Sequence, residues 1–460
     1  MLPEAVTSVP LVSVIVLNLN GEKVIGQCLN QLFAQTYPNF EVIVVDNHST
    51  DNSLAVIESF KEKGNLTIVQ SPSNRGCPGG RNLGTQYVHG EFVAFIDNDG
   101  YAYPNWLEAV LRPFQQAPEV GAVASVVFFN RNRVLLNGAG GTVNLQGYGG
   151  DYCYHEPHEF AQLPTEVLYP MGCGMTVRRA VLEQIGPLDE ALLNYYDDTE
   201  LGMRVWLSGY RVVVAPGAFI DHEFNYTTQF IPGRSYLTEK GRIRNALKYF
   251  PMRHLGAWLG HEVLHILQQS IYARLQIQAW LWNIVHLRSA LEWRTKFQAP
   301  FADFERLTHP SWGWLRFSVP IHALHSPKLA HAGPMLQMDL EPNPQLNYGW
   351  YWPEGRGHDA FRWTAQRAST VFRLPHATQR LSLKLKTPLP QKITLAMRPW
   401  GQTTWVWQQE ITLEITQQWL PQIMPCRCMA GDYEFLLTAE KTLRVGPRWL
   451  GVAVAQANFE

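Results

Sequence analysis

Charge is scarce in this chain. Asp, Glu, Lys and Arg make up 17% of its 460 residues, below the roughly 25% common in soluble domains. Neither sign dominates: 38 Lys and Arg stand against 39 Asp and Glu, a formal net charge of −1. So balanced a chain has no global field to gather nucleic acid or an anionic membrane, and nucleic acid is not an expected partner. Long apolar runs are also missing. None reaches the roughly 18 residues of a membrane span; the nearest, Leu275 to Leu287, is broken by Gln276, Gln278 and Asn283. Met1 to Pro10 carries Glu4 and no apolar run, so a signal peptide is not expected. Cysteine is sparse and scattered: Cys28, Cys77, Cys153, Cys173, Cys426 and Cys428. The last two are too close for a usual zinc pair and have no second pair to complete a site. A reduced, cytoplasmic setting is the expectation. Tryptophan is nearly absent from the first part: Trp106 and Trp206 precede residue 257, and the other 14 of 16 follow it. Two architectures are expected.

What is present begins with alternation. Val12 to Leu17, Glu41 to Val45, Leu66 to Val69, Glu91 to Ile96 and Val120 to Phe128 read as strands, several of them continuous apolar runs covered on both faces. Helical patterns at Gly21 to Gln35, Ser53 to Lys63 and Gly80 to Val88 separate them, and Pro104 begins another. This βαβ rhythm predicts an α/β, doubly wound sheet over residues 1–250, with ligands beyond the carboxyl ends of its strands. The polar residues there deserve scrutiny: Asn18 to Asn20, Asp46 to Asp51, Asn74 to Asn82 and Asp97 to Asp99. An amphipathic helical segment over 251–300 and a Pro- and His-rich linker over 301–345 are expected next. From 346 to 460 the period becomes 2 (Leu381, Leu383, Leu385; Ile393, Leu395, Met397; Ile411, Leu413, Ile415), which predicts a β-sandwich.

Four constellations carry chemistry. In Asp97-Asn98-Asp99, residues i and i+2 of an extended chain face the same way. Two carboxylates at a buried strand end are costly without a cation, and Mg2+ or Mn2+ suits carboxylates and phosphates. The plain alternative is a solvated turn. Asp197 and Asp198 open a helix at Leu201, where acids suit the dipole; the functional reading is a general base that stays ionised at neutral pH. His222, following Asp221 beyond the strand Tyr210 to Ala215, is a candidate third metal ligand, although a lone His is usually structural. In Asn74 to Gly84, glycines ahead of a helix let backbone N–H groups approach an anion, with Arg75 and Arg81 as phosphate clamps. A dinucleotide fingerprint would place such glycines after the first strand. Here they follow the third, against a dehydrogenase.

Taken in order, these motifs resemble a family. Val-Ser-Val-Ile-Val-Leu-Asn from Val12, Val-Asp-Asn-His-Ser-Thr-Asp from Val45, Asn-Arg-Gly-Cys-Pro-Gly-Gly-Arg-Asn from Asn74, Asp97-Asn98-Asp99, Gly172-Cys173-Gly174, Asp197-Asp198 and His222 look like a family 2 glycosyltransferase of the GT-A fold. The resemblance covers Val12 to about His222 and leans toward the branch with rhamnosyltransferases of cell-surface polysaccharides. It implies an inverting transfer from a UDP- or dTDP-sugar to a hydroxyl of a glycan or lipid-linked acceptor. It implies roles too: Asn18, Asp46, Arg75, Arg81 and Asp97 at the donor, Asp97, Asp99 and His222 on a divalent cation, and Asp198, beside Asp197, as the base. Many members have Glu-Asp where this chain has Asp197-Asp198, which loosens the assignment between the two neighbours.

Two rivals stand beside this reading: a non-catalytic nucleotide-sugar binder, which needs no base, and a nucleotidyltransferase, which shares carboxylates and metal. The basic helix Arg234 to Phe250, followed by a Trp-rich stretch, can lie on a membrane as a peripheral contact or pack on the catalytic domain; packing is the preferred reading. In the β region, Trp350, Tyr351, Trp352, Trp363, Trp405 and Trp407 suit either a sandwich core or a sugar-stacking platform, the core being preferred.

Overall fold

A computed structural model describes residues 9–223, 226–268, 273–297, 306–309, 334–336, 338, 345–351, 354, 360–414, 419–445 and 448–459. Most of the expected linker over 301–345, and Trp352, lie outside them.

The first compact unit holds residues 1–130, 136–154 and 160–317. Its strands are β1 (Val12–Asn18), β2 (Phe40–Asp46), β3 (Leu66–Gln70), β4 (Phe92–Asp97), β5 (Gly100–Ala102), β6 (Val120–Phe129), β7 (Asn132–Gly138, which begins in the second unit), β8 (Gly141–Val143), β9 (Gly149–Asp151), β10 (Gly174–Arg178) and β11 (Arg211–His222). Its helices are α1 (Ile25–Phe33), α2 (Ser53–Glu58), α3 (Gly76–Thr85), α4 (Trp106–Gln116), α5 (Arg179–Ile185), α6 (Asp197–Leu207), α7 (Arg234–Tyr249), α8 (Met252–Gln268), α9 (Ala273–Val285) and α10 (Leu287–Lys296). The main sheet runs β3-β2-β1-β4-β10-β6-β11-β5. β1 pairs in parallel with β2 and β4, β10 is antiparallel between β4 and β6, and β11 is parallel to β6. This is the mixed doubly wound sheet expected. Ile15, Ile43 and Phe95 face one core with Leu201, Val205 and Ile243, while Val14, Val42 and Ala94 face another with Leu29 and Trp106. Both faces are covered, which is why the strands read as unbroken apolar runs.

Two local details place the site differently from the sequence reading. Asp97 ends β4, and Asn98 and Asp99 form a tight turn into β5. Asp97 and Asp99 therefore meet across a turn, with no extended chain between them, and Asn98 tucks inward at 1% exposure. His222 does not lie beyond a strand; it is the last residue of β11. The expected strand stops at Ala215; Pro216 and Gly217 fall in an irregularity between Val214 and Phe219, after which pairing with β6 resumes as far as His222 opposite Phe129.

The basic helix is α7, and it is packed. Lys240, Arg242, Arg244 and Lys248 are all buried. Arg242 meets Glu239 and Glu262 at 2.8 and 2.7 Å, Arg244 meets Asp189 at 2.6 Å, and Lys248 meets Asp189 and Glu200 at 2.9 and 2.6 Å. Buried charges persist only when paired. No described helix is long and apolar enough to cross a membrane.

The second compact unit joins residues 131–135 and 155–159 to 318–460. Its described strands beyond the first region are β12 (Met335–Leu336), β13 (Leu346–Trp350), β14 (Arg362–Leu374), β15 (Thr378–Lys386), β16 (Gln391–Pro399), β17 (Trp407–Leu413), β18 (Leu420–Cys428), β19 (Gly431–Ala439), β20 (Leu443–Val445), β21 (Arg448–Leu450) and β22 (Ala453–Phe459). β14 starts against β22 and ends against β19, so it links two antiparallel layers into the sandwich-like body that the period of 2 implied. Leu381, Leu383, Leu385, Ile393, Leu395 and Met397 fill its core. Trp350 is 1% exposed and its indole donates to the Ser369 carbonyl at 2.7 Å, so it is a core residue. Trp407 packs partly buried on the same core.

Candidate active site

A cavity of about 420 Å3 opens where the carboxyl ends of β1, β4 and β11 meet the start of α6, its wall including Asn47, Asp97, Asp99, Asp198 and His222. Beneath it lies a hydrogen-bonded floor. The buried Asn18 amide donates to Asp46 Oδ1 at 2.9 Å and accepts from Asn98 Nδ2 at 2.8 Å. Asp46 also accepts from the Ser49 hydroxyl and backbone N–H at 2.5 and 3.2 Å. Asn18 and Asp46 thus brace the floor, while Leu17, Leu19 and Asn47 line the cavity. Asn47, inside the Asp46 to Asp51 stretch but given no role from the sequence, holds the loop before α3: it accepts from the Arg75 N–H at 3.0 Å and donates to the Gly76 carbonyl at 3.1 Å.

Asp97, Asp99 and His222 come together, with ligand atoms within 4.8 Å of one another. His222 Nε2 is 3.5 Å from Asp99 Oδ1, and His222 Nδ1 is 2.7 Å from Asn137 Oδ1. Because Asn137 Oδ1 is an acceptor, Nδ1 carries a proton and Nε2 is turned toward the acids, an orientation typical of a ligating His. Burial raises Asp97, Arg81 opposes that, and Asp99 adds to it. Burial works to lower His222, but Asp99 and Asp97 outweigh it and leave the imidazole raised. Two carboxylates and an imidazole that stabilise positive charge between them fit a hard divalent cation.

Arg81 ties this cluster to the second acidic motif. Its buried guanidinium donates to Asp97 at 3.0 Å, to Asp197 at 2.5 Å and to the Gly172 carbonyl at 3.0 Å. It is a clamp between two acid motifs, where the sequence reading had a clamp on phosphate. Arg75 is engaged elsewhere: it grips Glu190 at 2.8 and 3.0 Å and is not among the residues lining the cavity. The glycines also serve packing. A Cβ on Gly80 would lie 2.3 Å from Leu17, and one on Gly84 2.8 Å from Ile15, so they let α3 sit against β1.

The two neighbouring acids differ. Both line the cavity, but Asp197 is buried on Arg81, whereas Asp198 is half-buried and, among the described residues, makes no ion pair with it. Asp198 accepts from the Gly172 and Thr199 backbone N–H groups at 3.1 and 2.7 Å. Burial, and then the charge of Asp197, pushes its pKa up to about 6. Tyr195 and Tyr196 precede it at φ 65° each, a conformation that costs about 1–3 kcal/mol per residue and gathers at functional sites. Asn245 donates to the Tyr196 carbonyl at 3.0 Å and holds the bend.

Asp151 was missed by the sequence reading. It lies on β9 in the cavity wall and accepts from the Tyr169 hydroxyl at 3.1 Å. Burial, then the charge of Asp198, pushes it up to about 7. No local motif marks it; it sits in Asn137 to His158, a stretch whose Gly, Tyr and His content predicts only a long loop or hairpin.

The family model described as Glycosyl transferase family 2 matches residues 13–186. Among curated proteins, the chain is 46% identical over 220 residues to the poly(ribitol-phosphate) beta-N-acetylglucosaminyltransferase TarS of Staphylococcus aureus (strain MW2), covering 47% of this chain and 35% of TarS. It is 31% identical over 237 residues to the O-antigen biosynthesis protein RfbC of Myxococcus xanthus, covering 47% of this chain and 18% of RfbC. The chain thus spans about a third of the first of these relatives and less of the second. A solved structure, S. aureus TarS 1-349 in complex with UDP, aligns at TM-score 0.41 and 20% identity over 68% of this chain and 96% of that one.

Proposed function

We propose that residues 13–186, which match the family 2 glycosyltransferase model, make this chain an enzyme that transfers a sugar, with inversion, from a nucleoside-diphosphate donor to a hydroxyl of a cell-surface glycan. One observation carries the proposal: Asp97, Asp99 and His222 share a cavity with Asp198, and Arg81 joins the two groups. Asp97, Asp99 and His222 would hold Mg2+ or Mn2+, which supplies a Lewis acid for the charge on the departing diphosphate. Asn137 keeps His222 Nε2 turned toward the acids. Asn18 and Asp46 fix the floor on which the nucleotide rests. Asp198 accepts the proton of the attacking hydroxyl, and Gly172 and Thr199 hold its carboxylate still. Its raised pKa makes it a better base while leaving it ionised at neutral pH. A sugar–oxygen bond forms at the anomeric carbon as the bond to the diphosphate breaks, and the proton ends on Asp198.

The TarS name puts UDP-N-acetylglucosamine first among donors, ahead of the dTDP-rhamnose suggested by the motif resemblance. The names of TarS and RfbC favour a polyol-phosphate or O-antigen-type acceptor. Six free thiols, five of them buried, suit a cytoplasmic, reducing setting. The test offers the full chain a panel of nucleotide sugars with Mn2+ and a poly(ribitol-phosphate) acceptor. The expected result is nucleoside diphosphate release, a product of inverted anomeric configuration, and loss of both in chelator. Pyrophosphate release would mean a nucleotidyltransferase. Thermal protection by the sugars without turnover would mean a binding protein.

A further inference from the structure

Three neighbouring helices turn their apolar sides outward. On α9 the buried positions are Gln276, Ala279 and Asn283, while Ile277, Leu281, Ile284 and Val285 are exposed. The inversion has a cause: the buried Asn283 amide donates to the Lys240 and Ala279 carbonyls at 3.1 and 2.9 Å, which fixes the polar side against α7. α8 does the same. Trp258 and Glu262 face inward, onto the Gln146 carbonyl at 3.1 Å and Arg242 at 2.7 Å. Met252, Leu259, Val263 and Leu267 stand out along one face, Leu267 at 76% exposure. α8 packs on α9 and α9 on α10, which adds exposed Leu287 and Leu291. Isolated exposed apolar residues are ordinary, but a contiguous patch marks an interaction surface.

Charge decides what covers it. Arg274, Arg288 and Lys296 are exposed on the same helices, Arg288 with 94% of its side chain in solvent. Among the described residues of 252–297, Glu292 is the exposed carboxylate, and Arg288 meets it at 3.2 Å. The occupant must take up apolar side chains and answer cations. α8, with 17 residues, is about 25 Å long at ~1.5 Å per residue and too short to span a bilayer. We propose that the α8–α9–α10 face lies on an anionic lipid surface, its apolar side chains in the headgroup region and its Arg and Lys on lipid phosphates. This is a different surface from the cationic helix α7, whose Arg242, Arg244 and Lys248 are spent on buried pairs, and the inference does not rest on the catalytic reading.

The test is flotation of the full chain with phosphatidylglycerol–phosphatidylcholine vesicles and with phosphatidylcholine vesicles alone, in about 0.1 M salt. The wild type should float with the anionic vesicles and partition at least tenfold less onto neutral ones. The double variant Leu281→Glu with Ile284→Glu, and separately Arg274→Glu with Arg288→Glu, should each lose at least tenfold of the partitioning. All four sites are exposed, so thermal unfolding should be unchanged. Failure of the wild type to float, or flotation that both variants retain, would overturn the proposal. So would a lipid-free dimer that Leu281→Glu with Ile284→Glu dissociates, which would assign the face to a second copy.

Discussion

Replacing Arg81 by Met should unsettle both acid motifs at once. The guanidinium has 4% of its surface exposed and serves Asp197 and Asp97, whose side chains are 6% and 30% exposed. Removing one partner of a buried ion pair costs about 3–5 kcal/mol, because the other charge stays buried. Asp197 bears that cost in full; the share of Asp97 is reduced by its solvent contact. The expected loss in urea unfolding is therefore about 3 kcal/mol, or roughly a hundredfold in the folded-to-unfolded ratio. Its pH dependence has a sign. Burial already raises Asp97 and Arg81 pulls it down, so the variant raises it further. A carboxylate raised on folding destabilises where it must be ionised, and the penalty fades as pH falls toward its unfolded value near ~4. The deficit should shrink between pH 7.5 and 5. Adding Asp197→Asn should recover at least half of it, a coupling that independent sites would not show. An Arg81→Met protein as stable as the wild type, or a deficit that grows on acidification, would refute the clamp.

Two further outcomes follow from the same geometry. With Asp198 as base and pushed up to about 6, kcat/KM should fall tenfold per unit below about pH 6; a profile flat to pH 5 would count against it. In the buried network, Lys248→Met leaves Asp189 and Glu200 without their shared ammonium and should cost about 3–5 kcal/mol. Burial tends to raise Asp189 and Glu200, but Lys248 with Arg244 and Arg204 holds both below the usual range. Their stabilisation is present above the unfolded values near ~4 and lost as pH falls below them, so the stability of the variant should fall less steeply than that of the wild type between about pH 4.5 and 2.5.

The sheet was legible because it is covered on both faces: Val12 to Leu17 and Glu41 to Val45 could hardly be anything else. Asp97, Asp99, Asp198 and His222 were legible as motifs, since each stands at the end of an element. What stayed hidden depends on partners far away in the chain. Arg242 looks like a surface cation until Glu262 is brought to it, and Arg81 looks like a phosphate ligand until Asp97 and Asp197 are. Pro216-Gly217 hid the second half of β11 because a bulge and a strand end share the same residues. Asp151 had no helix or motif to announce it, and the exposed apolar side of α9 was invisible because its period is that of any amphipathic helix.

The most direct measurement is Asp198→Asn in single turnover, with donor affinity read on the same protein. The carboxamide keeps the shape, and Asp197 and the Asp97–Asp99–His222 cluster are untouched. Loss of 10²- to 10⁴-fold in the rate of transfer is expected, on the order of what a general base contributes, with nucleoside-diphosphate affinity unchanged within about twofold. An Asp198→Asn protein that transfers sugar at the wild-type rate would contradict the assignment of the base, and with it the division of the cavity into a metal side and a base side.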